Sequence, residues 1–433
     1  MTTILNKFTR NNTLKLFVKI THSYISLFIL IMWLIFNFNI WTFISIEYSN
    51  HLYNLVKKLS FVSVFINYAC FLLYKNYLKA LLVASFIAVG LIVYKTMGNN
   101  LIISNVLICI AISNLNAKKI VAVFLITIGL LFCTTLLLNL LELNDKTFIG
   151  FRDVDFRYSF GFGHANCIGA MLFFYMLTLW SFLKTKLSYL YCFTLFICSY
   201  IFLIKYVDSR TAELCFVLSI LILSVCLIYD FMIERIEKSN ASESIEYTDF
   251  SEIHNYLFTK LLRIACLIGF PIIAFCFVYV SYIYDPQQPL LEAVNRLFST
   301  RIQLSHDAIV KYGFTPFGKI LTQTDLDPSG LNAAVTTAYE YLDSFYINLT
   351  LNYGLTSLYV YTISYLIVIY KSFHFNHYRF AIALFIFSIY AIMEHVFISI
   401  CFNVLIYLVF ADFKNYSMAK LPKRLTSHFN ICR

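Results

Sequence analysis

Residues 157 to 170 read "RYSFGFGHANCIGA", and they set Arg157, Gly161, Gly163, His164 and Asn166 at the threshold of a long apolar run. Glycines permit close backbone approach, and the free N–H groups of a helix N-terminus bind anions. An arginine fork pairs phosphate oxygens two at a time and stays charged. The stretch "VDSRTAE" repeats the arrangement, with Asp208 or Ser209 able to cap a helix and Arg210 in its first turn. A third arginine, Arg301, stands in "STRIQLSHDAIVKYGFTPFGK". Two helix starts and three arginines suit a diphosphate. The alternative for each arginine is a loop-fixing ion pair: Arg152 with Asp153 or Asp155, and Arg210 with Asp208.

Two further groups carry proton chemistry. His164, with an ordinary pKa of about 6.5, can serve as a general base or as a hydrogen-bonded helix-end residue. Between Phe380 and Phe410 the only charged or histidine side chains are the adjacent Glu394 and His395. A carboxylate in such a stretch costs a few kcal/mol unless wet or paired, so Glu394 faces either the site or an arginine.

What must position these residues is a membrane protein. The chain has 433 residues, of which 60% are hydrophobic and 13% charged, and its mean hydropathy is +0.75. That composition excludes a soluble globular protein. Apolar runs at 24–47, 79–95, 118–141, 163–183, 188–206, 211–232, 262–284 and 345–370 predict transmembrane helices, because hydrocarbon requires each segment to satisfy its own backbone. Runs at 61–74 and 101–113 add two, and 380–411 predicts two short spans hinged near Glu394. The expected fold is an all-α polytopic integral membrane protein of about twelve spans, with residues 1–433 as one membrane domain. The 12 cysteines are scattered without a CxxC pair or a metal-ligand spacing, as small packing residues are.

Most of the 33 basic residues fall, by alternation, on one side together with both termini, which is therefore predicted to be cytoplasmic. Lys57 and Lys58 break the pattern. The first apolar run lacks a cleavage site and is expected to be retained. The net charge of +10 reflects this bias and contact with anionic lipid; without a compact basic aromatic patch it does not indicate nucleic acid. Two loops are long. The cytoplasmic one, 233–261, is polar and reads as a linker or short surface helix. The extracytoplasmic one, 285–344, predicts one or two amphipathic helices, with Leu290, Val294, Leu297 and Phe298 on one face and Leu304, Ala308 and Ile309 on the next. Arg152, Arg157, Arg210, Arg301 and Glu394 all open on this second side.

Over residues 150–410 several stretches resemble, in the same order, the oligosaccharide repeat-unit polymerases of O-antigen and capsule synthesis, the Wzy-type family. "RYSFGFGHANCIGA" resembles that family's Gly-x-Gly-His-Pro-Asn segment, and "VDSRTAE", "STRIQLSHDAIVKYGFTPFGK", "LDSFYINLTLNYGL" and "EHVFISICFN" are similar to later ones. Ala165 stands where the family commonly has proline. Arg152 to Gly163 keeps the family's Arg-to-Gly spacing, and Arg301 to Gly313 is one residue longer. The resemblance implies a glycosyltransferase that uses neither metal nor cofactor and acts on undecaprenyl-diphosphate-linked oligosaccharides at the outer face of the bacterial cytoplasmic membrane. It implies Arg157, His164, Arg210, Arg301 and Glu394 as catalytic residues, and Arg152, Asn166, Asp208, Asp343 and Tyr346 as substrate-binding. A chain-length regulator and a flippase are the implied protein partners.

Two other functions share parts of this pattern. A ligase moving finished glycan from the same carrier resembles the architecture too, and the acceptor distinguishes it. A flippase places charge deep in several spans along a central cavity, whereas the middle spans here are almost free of charge.

Overall fold

The structure is a computed structural model that describes residues 12–42, 50–143, 149–152, 155–183, 186–242, 248–321 and 342–414. Five helices come first: α1 (Asn12–Ile40), α2 (Asn50–Leu73), α3 (Tyr77–Met97), α4 (Leu101–Ala111) and α5 (Ala117–Leu140). A hairpin follows, β1 (Ile149–Arg152) antiparallel to β2 (Asp155–Tyr158), with Gly150 opposite Arg157. Next are α6 (Ala165–Phe182), α7 (Lys186–Phe202), α8 (Arg210–Ser242) and α9 (Thr248–Tyr282), then the short α10 (Pro289–Leu297) and α11 (Arg301–Tyr312). The last described elements are α12 (Phe345–Asn352), α13 (Leu355–His374), α14 (Tyr378–Tyr390) and two 3-10 turns, His395–Ile398 and Leu405–Phe410.

Eight helices among the described residues are long and apolar enough to cross a membrane, which makes this an all-α membrane protein apart from the hairpin. They are Ile20–Ile40, His51–Leu73, Tyr77–Met97, Ala117–Leu140, Ala165–Phe182, Leu190–Val207, Arg210–Ile228 and Lys260–Tyr282. The expectation of about twelve spans differs from this in three places. The apolar run at 101–113 forms only α4, of 11 residues. The run at 345–370 is broken between α12 and α13 at Gly354, whose φ is +87°. There residues 315–319 thread into the gap, with Leu355 N–H donating to Thr315 O at 3.0 Å and Thr356 N–H to Pro316 O at 3.0 Å. A Cβ on Gly354 would collide with the backbone of Gly318, Pro316 and Phe317. The run at 380–411 is α14 and two 3-10 turns in place of two α-helical spans, and it is buried almost throughout. Non-helical backbone at such depth is tolerated where protein surrounds it; α14 packs against α6, α8, α9 and α13.

The polar stretch 233–261 continues α8 and α9 on either side of residues 243–247, which lie outside the described residues. Of the long loop, 322–341 also lie outside them. The expected amphipathic helices are α10 and α11; α10 buries a different face, while α11 buries Ala308 and Ile309 as expected. Leu291 and Asn295 are buried while Leu290 and Leu297 are exposed, and on α11 Ile302, Ser305, Ala308 and Ile309 are buried.

Candidate functional site

The hairpin and the turn after it deliver Arg157. Phe160 and Gly161 take positive φ, closing a turn in which Phe162 N–H donates to Ser159 O at 2.9 Å. Phe162 is fully buried against Phe38 and Phe132, and Gly163 N–H donates to Trp41 O at 2.9 Å. The end of α1 therefore clamps the "GFG" turn. His164 is extended and caps α6, its Nδ1 accepting the Asn166 N–H at 3.0 Å.

Asn166 is the hub. Its Oδ1 accepts Arg157 Nη2–H at 2.9 Å and Ser209 Oγ–H at 3.5 Å, and its Nδ2 donates to Glu394 Oε1 at 3.0 Å. Buried Arg157 also directs Nε toward Val207 O at 3.4 Å and lies 3.8 Å from Asp208 Oδ2. A π-turn, Leu203–Val207, ends α7, and Asp208 then takes φ +46°, which folds Val207 O and Asp208 back toward Arg157. Such single π-turns often occur at functional sites. Gly169 completes the junction of α6 and α8, since a Cβ there would press on the Ser209 side chain.

Arg301 arrives from the other side. Ser299 and Thr300, both with positive φ, turn the chain from α10 into α11. Arg301 Nε donates to Met393 O at 3.0 Å, and its Nη2 lies 3.3 Å from Asp343 Oδ2 and 3.5 Å from Glu394 Oε1. Glu394 is 5% exposed. Burial pushes its carboxyl above the usual carboxylate range, with Asp343 adding to the shift and Arg301 and Arg157 opposing it. His395 is half-buried, its ring 5.7 Å from that of Trp41, and desolvation lowers it to about 4, which keeps it neutral near pH 7.

The structure thus joins Arg157, His164, Asn166, Asp208, Arg301, Asp343 and Glu394 in one network. Three expected residues stand differently. Arg210 opens α8 exposed, one position after the Ser209 that reaches Asn166. The backbone of Arg152 pairs with Asp155, and its side chain is outside the described residues. Tyr346 is corrected from a substrate-binding position to a core one: it is fully buried and its hydroxyl donates to Ser388 O at 2.7 Å, because α12 packs its face inward. Asp208, weighed as a partner for Arg210, faces Arg157. Arg157 and Arg301 each already lie beside a carboxylate.

Sequence reasoning missed Tyr390. It is fully buried, stacks on Phe173 at 5.0 Å, and its hydroxyl has no hydrogen-bond partner among the described residues while feeling the charges of Glu394 and Arg301. Its only signal was a place one helical turn before Glu394.

No protein family's sequence profile, no curated protein and no solved structure matches this chain.

Proposed function

We propose that the chain is a polymerase of lipid-linked oligosaccharide repeat units, acting at the outer face of the bacterial cytoplasmic membrane. The growing glycan leaves its undecaprenyl diphosphate and joins the non-reducing end of a new lipid-linked unit. One observation carries this reading. Arg157 from "RYSFGFGHAN", Arg301 from "STRIQL" and Glu394 from "EHVFISICFN", distant in sequence, meet through Asn166 in one buried network. Those are the segments in which the chain resembles such polymerases.

In the proposed step the acceptor hydroxyl oxygen bonds to the anomeric carbon of the growing glycan. The bond from that carbon to the diphosphate breaks, and the diphosphate leaves with the electron pair. Arg157, Arg210 and Arg301 stabilise the charge that develops on it, Arg157 and Arg301 from a buried network where such donors are worth most. Glu394 takes the hydroxyl proton. A carboxyl raised by burial is a stronger base than an ordinary one, and efficiency is greatest when its pKa approaches the working pH. His164 positions the turn, because its Nδ1 is engaged by the Asn166 N–H.

The test is a strain lacking the protein. Accumulation of single-repeat lipid-linked units at the outer face, reversed by the wild type and not by Glu394→Gln, is the expected result. Complete lipid-linked polymer that never reaches its final acceptor would assign a ligase instead. Single-repeat units held at the inner face would assign a flippase.

A further inference from the structure

A second assembly of charge lies where α3 and α5 begin and α13 ends. Ala117 N–H donates to Asp412 O at 2.9 Å, which ties the start of α5 to the chain leaving the last 3-10 turn. Lys79 Nζ donates to Phe410 O at 2.8 Å, and Lys371 Nζ donates to Val409 O at 2.8 Å and Ala411 O at 3.0 Å. One cation is enough to cap the end of a short helical turn. Here there are two, both half-buried and close enough to repel each other, and Asp412 is the acid that acts on both. Asp412 Oδ1 also accepts the Lys414 N–H at 2.9 Å. Each ammonium has three N–H donors; Lys79 directs one of them, and Lys371 two, to these carbonyls. Donors toward a further acceptor therefore remain on both. Exposed Lys75, Lys118, Lys119 and Lys414 stand around them.

Next to this pair a narrow, half-open groove runs between α3, α4, α13 and the last 3-10 turn. Phe86, Val106, Cys109, Val360, Ser364 and Val409 are among the residues that line it. Lys79 precedes Phe86 by seven residues on α3, and Lys371 follows Ser364 by seven on α13. Seven residues are two helical turns on one face, or about 10 Å at ~1.5 Å per residue. Both lysines thus overhang the same end of an apolar slot. Val409 joins the two features, lining the slot while its carbonyl holds Lys371.

We propose that this is a binding site for one anionic phospholipid, its phosphate held between Lys79 and Lys371 and one acyl chain lying in the slot. The phosphate offsets the repulsion between the two ammonium groups and accepts their remaining N–H donors. The slot supplies the apolar half of the same ligand. The proposal is independent of the Glu394 site.

Full-length protein reconstituted in phosphatidylcholine vesicles with a minor share of phosphatidylglycerol, then extracted in mild detergent, tests it by mass spectrometry of the retained lipid. The wild type is expected to enrich phosphatidylglycerol about tenfold over the vesicle ratio, the scale of a few lysine contacts to anionic lipid. Lys79→Gln with Lys371→Gln removes the enrichment, and Val360→Trp or Ser364→Phe, which fill the slot, remove it with both lysines present. Lys118→Gln with Lys119→Gln lowers net charge equally and leaves it intact. Wild-type enrichment in the Lys79/Lys371 variant overturns the proposal, as does an equal loss in the Lys118/Lys119 variant, which would mean bulk charge attraction. Displacement of the retained lipid by inorganic phosphate alone would assign the pair to a free anion and overturn it as well.

Discussion

Asn166 donates a 3.0 Å hydrogen bond to Glu394 across 228 residues of sequence, and the same side chain accepts from Arg157. One amide therefore couples a guanidinium to a buried carboxyl. Asn166→Asp keeps an acceptor for Arg157 and replaces the donor to Glu394 by an oxygen, so its defect reports on the Glu394 link. Like charges at this distance favour the neutral form of one partner. The variant is expected to lose polymer formation by about 100-fold at neutral pH, the scale of losing one donor at a charge-developing site. Activity should recover toward higher pH. A glycan ladder resolved on a gel at several pH values measures it, and unchanged ladders would remove Asn166 from the mechanism.

The two groups should oppose each other below about pH 6.5 and leave a net loss of stability as pH rises above it. Glu394 has its folded-state pKa raised by burial, so the folded chain binds more protons and stability drops as pH rises from the unfolded value of ~4.3 toward the raised one. His395 has its pKa lowered to about 4, so the stability from its neutral form is present above ~6.5 and lost as pH falls toward the lowered value. In thermal unfolding in detergent across pH, Glu394→Gln is expected to lose the fall above about pH 6.5 and uncover an acid-side fall, while His395→Phe extends the fall with rising pH down to ~4.3. Slopes that survive both substitutions would place the titration elsewhere.

The break between α12 and α13 tests how the site is held. Gly354 and Gly313 both have positive φ, and only Gly354 is crowded by neighbouring backbone. Gly313→Ala should lower stability by about 1 kcal/mol, the conformational term alone. Gly354→Ala adds displacement of residues 316–318 and should cost several times as much, read as a larger drop in melting temperature. Equal losses would show that the threaded segment can move aside.

Much of the site was legible because unusual residue types stand out in an apolar chain. Arg157, Asn166 and Glu394 were conspicuous as polar side chains at the edges of hydrophobic runs, and the network contains all three. The class of fold followed from hydropathy, and eight long apolar helices bear it out. The rest depends on contacts that leave no local pattern. Length and hydropathy could not reveal that 380–411 is enclosed by other helices and so need not be helical throughout. Gly354 has no distinguishing sequence pattern, because the residues 315–319 that lie against it are distant in the chain. Tyr346 and Tyr390 are both buried tyrosines of the same bundle; which hydroxyl finds a carbonyl and which sits near Glu394 is decided by packing.

Arg157 and Arg210 should separate when each is replaced by lysine. Buried Arg157 reaches Asn166 from Nη2 while its Nε faces Val207 O and Asp208, all from one planar fork. A compact ammonium on a flexible stem cannot reproduce that set, and an unmade bond to a buried polar group costs about 1–3 kcal/mol. Arg157→Lys is therefore expected to lower both melting temperature and polymer yield. Arg210 is exposed at the first turn of α8, where lysine keeps the charge in contact with water. In the proposed reaction Arg210 contributes its fork to the diphosphate, so Arg210→Lys should cut polymer severely at an unchanged level of protein in the membrane. Immunoblots of membranes beside glycan ladders distinguish the two variants. Full-length polymer from Arg210→Lys would confine the arginine chemistry to Arg157 and Arg301, which meet through Asn166 and Glu394.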